Sequence, residues 1–80
     1  HGMVELNHRQ RGLIAHALEH PMRSFTIESH RVSNNVVYQT ARTDLLDLRD
    51  RGLLTARKVG RTWVFNAVED LEDKLAERRI

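Results

Sequence analysis

Only three residues, Asn35, Val36 and Val37, separate two segments with helical spacing, and that gap constrains the chain more than any other feature. The first segment, Ile27 to Asn34, closes on Asn34-Asn35, and asparagine tolerates the left-handed backbone that ends a helix. The second begins at about Tyr38, repeats Ala41, Leu45 and Leu48 on one stripe, and runs to about Arg51, where Gly52 supplies a positive-φ cap. A three-residue link has room only for a tight turn. Two short helices joined in this way form a helix-turn-helix pair.

The flanking segments complete the pattern. An earlier helix is predicted from about His8 to Glu19, capped by Asn7, with Leu6 as a hydrophobic staple and Leu13, Ile14, Ala17 and Leu18 as its apolar stripe. Pro21 stops it. Arg23-Ser24-Phe25 reads as a short extended piece, and Thr26 caps the next helix. That helix is unusually polar: Ile27 and Val32 are its only aliphatic residues, and His30 stands where a core leucine is expected. After Gly52, Leu53–Val59 and Thr62–Asn66 read as two strands joined by a Gly60-Arg61 turn. A last helix starts at about Val68, with the stripe Val68, Leu71 and Leu75 and Ile80 as its candidate continuation. Its acidic run, Glu69, Asp70, Glu72 and Asp73, lies in the first turns and Lys74, Arg78 and Arg79 lie toward its end, as the helix dipole favours. The predicted fold is mainly α with a small β-hairpin: a winged helix-turn-helix with a three-helix core, a wing and a C-terminal helix.

Eighty residues make one domain with a thin core. Residues 6–80 are assigned to it. His1-Gly2-Met3 puts a methionine third, so residues 1–5 read as a cloning scar or linker. With no cysteine, disulfides and thiolate metal sites are excluded, and a reducing cytoplasm fits best. No apolar run approaches the ~20 residues of a membrane span. The net charge is +2, unevenly spread: residues 1–61 sum to +4 and residues 62–80 to −2. A basic body hints at a polyanionic partner.

The stretch from Val36 to Leu54 resembles the recognition-helix signature of DeoR-type winged-helix repressors. In that family a T-x-R-x-D-L-x-x-L core, here Thr40, Arg42, Asp44, Leu45 and Leu48, precedes a glycine and a hydrophobic strand. A closer similarity, over about residues 6–75, is to the winged-helix domain at the C-terminus of many bacterial Fic-family proteins. It rests on Tyr38-Gln39-Thr40-Ala41-Arg42-Thr43-Asp44-Leu45 preceded by Ser29-His30. That resemblance implies a covalently linked Fic-like catalytic domain, whose H-P-F-x-D-G-N-G-R loop of AMP transfer is absent from this sequence. The chain departs from the pattern at Val37, where the Ser or Thr that caps the recognition helix is replaced. The lost cap costs on the order of 1 kcal/mol.

The candidate DNA-binding residues follow from the helix geometry. Gln39, Arg42 and Thr43 lie opposite Ala41, Leu45 and Leu48. The N-terminal half of such a helix enters the major groove, where Arg can bridge guanine O6 and N7 and Gln adenine N6 and N7. The alternative pairs Arg42 with Asp44 or Asp47. Tyr38 and Thr40 can donate hydroxyls to phosphates at the helix N-terminus, the alternative for Thr40 being half-burial against the preceding helix. Arg57, Lys58 and Arg61 form a basic wing tip suited to the phosphate backbone, or an ordinary solvated hairpin. Trp63 and Phe65 share one strand face and are assigned to the core, with a docking patch as the alternative. His16 and His20, four apart, can meet on one helix face. No H-E-x-x-H and no usefully spaced third ligand accompanies them, so no metal or cofactor is expected. His30 is read as half-buried with one hydrogen bond.

Nothing in the sequence supports catalysis: there is no glycine-rich phosphate loop and no Ser-His-Asp set in recognisable context. The leading expectation is duplex DNA binding, strengthened by a homodimer or a tethered parent protein. The competing expectation is a protein-interaction or dimerisation module that docks on a catalytic domain or target without DNA.

Overall fold

The computed structural model describes residues 5–77. The expected order is present: α1 (His8–Glu19), β1 (Ser24–Thr26), α2 (Ile27–Asn34), α3 (Tyr38–Asp50), β2 (Leu54–Val59), β3 (Thr62–Ala67) and α4 (Leu71–Glu77). The readings placed on residues 1–4, on Arg78 and Arg79, and on Ile80 lie outside the described residues.

Local chemistry sets the helix ends. At the start of α1 the Asn7 side chain accepts from the Gln10 N–H, 2.8 Å, and the Gln10 side chain accepts from the Asn7 N–H, 3.0 Å. Thr26 and Ser29 make the same reciprocal box on α2. Such boxes satisfy two amides that have no partner within the helix. Both helices of the central pair end in the same closure. Asn35 sits at φ 52°; its N–H donates to Val32 O and the Val36 N–H to Arg31 O, at 3.3 and 3.2 Å. Gly52 sits at φ 80°; its N–H donates to Arg49 O and the Leu53 N–H to Leu48 O, at 2.9 and 3.0 Å. These are Schellman motifs, and the second places Leu48 against Leu53, both fully buried.

The sheet is larger than a hairpin. β3 pairs antiparallel with β2 and, along its other edge, with β1, giving the order β1-β3-β2. Pairing of Phe25 with Phe65 covers an edge of β3 that a lone hairpin would leave open. Gly60, at φ 63°, takes the first position of the two-residue turn, where tight hairpins require positive φ. The core lies between this sheet and the helices: Leu13, Ile14 and Ala17 of α1, Ala41, Leu45 and Leu48 of α3, and Leu53, Leu54 and Phe65 are buried.

Four details differ from the sequence reading. Leu18 is 41 % exposed; the buried residues of α1 are Gln10, Leu13, Ile14 and Ala17. Trp63 is 43 % exposed although it shares a face with buried Phe65; it lies two residues nearer the hairpin turn, where no helix covers the strand. His30 is fully buried rather than half-buried, and both ring nitrogens have partners. α4 begins at Leu71 instead of Val68; the Val68 N–H donates to Leu53 O, 3.3 Å, which ties the segment before the helix to the start of β2. Glu69 and Asp70 therefore precede the helix, and Glu72 and Asp73 occupy its first turn. No helix among the described residues is long and apolar enough to cross a membrane.

Candidate nucleic-acid interface

The outer face of α3 is set by what holds its inner face. Three polar residues occupy positions on the buried stripes of three helices: Gln10 beside Leu13, Ile14 and Ala17; His30 one turn after Ile27; Asp44 among Ala41, Leu45 and Leu48. They join in one network. Asp44 accepts from Arg9 Nε at 2.7 Å and Nη2 at 3.0 Å, from Asn7 Nδ2 at 2.9 Å, and from His30 Nε2 at 3.0 Å. The Gln10 amide donates to Asp44 O at 3.0 Å and to Asp47 Oδ2 at 2.9 Å, and Arg51 Nε donates to the same Asp47 oxygen at 2.8 Å. Burial pushes the Asp44 carboxyl up, but the hydrogen bonds from Arg9, Asn7 and His30, with the Arg9 charge, outweigh it and hold the group below the ordinary carboxylate range. Asp47 is lowered in the same way, burial being outweighed by Gln10 and Arg51.

An ionised carboxylate only accepts, so His30 donates through Nε2. Its Nδ1 then accepts from Asn34 Nδ2 at 3.2 Å, and the same Asn34 amide donates to His30 O at 2.9 Å. The network thus fixes the orientation of the His30 ring and pins the last turn of α2 to the middle of α3. Buried polar groups this fully satisfied fix one packing arrangement among many apolar ones.

With Asp44 buried and Asp47 bonded to Gln10 and Arg51, neither acid competes for Arg42. Tyr38, Gln39, Arg42 and Thr43 are all exposed, and Arg42 makes no ion pair among the described residues. Gln39 and Thr43 come together, Nε2 donating to Oγ1 at 3.3 Å. Thr40 is half-buried, as its alternative reading had it. Val37 is the N-cap residue of α3 in extended geometry and makes no side-chain cap bond, so the first amides of the helix lack a protein side-chain acceptor there.

The wing residues Arg57, Lys58 and Arg61 are exposed, but the register divides them. Lys58 stands opposite Trp63 and Arg57 opposite Val64, so strand alternation puts Lys58 and Arg57 on opposite faces, with Arg61 in the turn. The Lys58 ammonium lies 5.8 Å from the Trp63 ring centroid, a cation–π distance. His16 and His20 do meet, with ring centroids 4.9 Å apart, but no group of three or more metal-ligating side chains forms among the described residues.

The sequence reading missed Asn7, Arg9, Gln10 and Asp44 as the support of the outer face. Their signal was present: an acid and an amide at core-stripe spacing on two helices. It also missed Trp63 as an exposed wing residue.

No protein-family model matches this chain, and no curated protein does. Solved structures do. The heme sensor protein PefR from Streptococcus agalactiae, in complex with heme, superposes with a TM-score of 0.75 at 14 % identity, covering 94 % of this chain and 53 % of that one. The adhesin competence repressor AdcR from Streptococcus pyogenes gives 0.70 at 14 % identity, over 94 % of this chain and 56 % of that one. The antimony-specific transcriptional repressor AntR gives 0.51 at 13 % identity, over 98 % and 87 %. The chain thus spans about half the length of the first two. At such identity the likeness speaks to architecture, and with the helix order, the Schellman closures and the sheet it establishes that this chain has the winged helix-turn-helix fold.

Proposed function

We propose that the chain is a duplex-DNA-binding winged-helix module, with α3 in the major groove and the β2–β3 wing on the backbone. The observation that carries this reading is the freedom of Arg42: it is exposed while both neighbouring acids are held by Arg9, Gln10 and Arg51. Tyr38, Gln39, Arg42 and Thr43 then face base edges and phosphates, Thr40 supports the helix start, and Arg57, Lys58 and Arg61 meet phosphates from two sides of the wing. The repressor-like fold supports the same partner. The Ser29–Leu45 pattern supports a setting tethered to a Fic-like parent, where a homodimer or tether compensates for the roughly 600–1,000 Å² that a single module buries.

A protein-docking function is the second reading. It draws on Val32, Val37 and Tyr38, which are 63 %, 68 % and 53 % exposed around the α2–α3 turn. A labelled mixed-sequence duplex in fluorescence anisotropy separates the two. DNA binding predicts affinity that falls steeply between about 50 and 200 mM salt, and a log–log salt slope reduced by about 0.9 in Arg61→Ala. Absence of binding at high micromolar protein, together with a stable dimer in light scattering, overturns the DNA reading in favour of docking.

A further inference from the structure

A cleft of about 240 Å³ opens between α1, β1 and α2, away from the residues assigned to DNA. Arg9 and Arg23 line it, and no carboxylate does. Arg23 is exposed and has no ion pair among the described residues. Ser33, also in the wall, is exposed and makes no side-chain hydrogen bond among the described residues. His16 is in the wall too, and its Nε2 is buried without a hydrogen-bond partner among the described residues. Leu13 and Phe25 supply apolar lining, Phe25 packing edge-on to the His16 ring at 6.2 Å.

We propose that this cleft binds a small organic anion. The oxyanion head sits on the Arg23 guanidinium with the Ser33 hydroxyl as a further donor, and the hydrocarbon body lies on Leu13 and Phe25. Charge decides the sign of the ligand: Arg9 is already neutralised by Asp44, and among the described residues Arg23 has no ion pair and no acid in the wall balances an occupant's cation. Size decides its class. The volume falls below the ~300 Å³ at which drug-sized sites begin, and the polar wall is interrupted by Leu13 and Phe25, which suits a small anion with a short apolar body. The head group can be a carboxylate or a phosphate monoester, which share the same donors.

The cleft shares residues with the support of α3. Arg9, His30 and Asn34 line it while holding Asp44 and each other. An occupant that draws on Arg9 works against the α1–α3 link, and so couples to whatever α3 binds. That consequence rests on the DNA-binding reading; the binding itself does not.

The test is a ¹⁵N–¹H NMR titration of the whole chain, without DNA, using hexanoate, phenyl phosphate, inorganic phosphate and hexanol as probes. Saturable shifts at the Gly12, Ser29 and Ser33 amides with hexanoate or phenyl phosphate are expected. The carboxylate arm and the phosphate arm distinguish the two head groups. Inorganic phosphate and hexanol are expected to bind more weakly than either. Arg23→Ala, at an exposed site that leaves the melting temperature unchanged, weakens binding by about tenfold, the effect of one charge-assisted contact. Ser33→Ala gives a smaller loss. Lack of saturable shifts with both organic anions, hexanol binding as well as hexanoate, or an affinity unchanged in Arg23→Ala overturns the proposal. Because DNA is absent, none of these outcomes depends on the DNA-binding reading.

Discussion

Arg9 on α1 grips Asp44 on α3 with two hydrogen bonds, Nε to one carboxylate oxygen at 2.7 Å and Nη2 to the other at 3.0 Å. The pair spans 35 residues of sequence. Fork-on-fork geometry of this kind fixes orientation as well as distance. It sets the rotation of α3 about its own axis, and hence which residues face outward.

Asp44→Asn tests that role through stability. Every side-chain partner of Asp44 is a donor, so an amide at this position turns its own NH₂ toward at least one of them. Breaking one member of a buried pair costs about 3 kcal/mol, a large share of what a domain of this size possesses. Urea denaturation of the variant is expected to show the midpoint lowered accordingly with the slope unchanged. A loss below about 0.5 kcal/mol, the range of ordinary surface substitutions, contradicts the assignment.

The same carboxylate sets an acid dependence. The folded-state value of Asp44 lies below the ordinary 3.8, and that of Asp47 is shifted in the same direction. A depressed carboxylate contributes fully above the unfolded value, and its contribution is lost as pH falls through the folded one. Denaturation midpoints of the wild type therefore hold steady at pH well above 3.8 and decline below it. The gap between wild type and Asp44→Asn narrows over that acid range. A gap that stays constant on acidification assigns the acid loss to other groups.

Val37→Ser addresses the uncapped start of α3. Val37 has the extended backbone that an N-cap residue adopts, at φ −76° and ψ 160°, and is 68 % exposed, so a hydroxyl fits without repacking. Supplying the missing acceptor is expected to stabilise the chain by about 1 kcal/mol, raising the melting temperature by roughly 4–8 °C. A melting temperature that is unchanged or lower shows that the first amides of α3 are satisfied in another way.

The fold was legible because its punctuation is local. Asn7, Thr26, Asn35 and Gly52 each act through their own backbone and nearest neighbours, and the helix bounds of α1 and α2 coincide with the reading. What sequence spacing could not give was partnership across elements. The alternative reading pairs Arg42 with Asp44, because the signature holds them two residues apart. Two residues apart on a helix is about 200° of rotation, so one faces the core and the other the solvent. The true partner, Arg9, comes from another helix. Trp63 shows the same limit: alternation identified its face, but not where along β3 the helices stop covering that face. β1 was seen as extended, while its place at the edge of β3 depended on a pairing across some forty residues, Ser24 with Asn66.

The outward face of α3 carries the central claim, and amide mapping with a mixed-sequence duplex at low salt tests it most directly. In a ¹⁵N–¹H titration, shifts are expected to concentrate at residues 38–43 and 57–62, and to be lost at 38–43 in Arg42→Ala while the wing still responds. Shifts confined to α1 or α4, or a response at 38–43 that persists undiminished in Arg42→Ala, would contradict that claim.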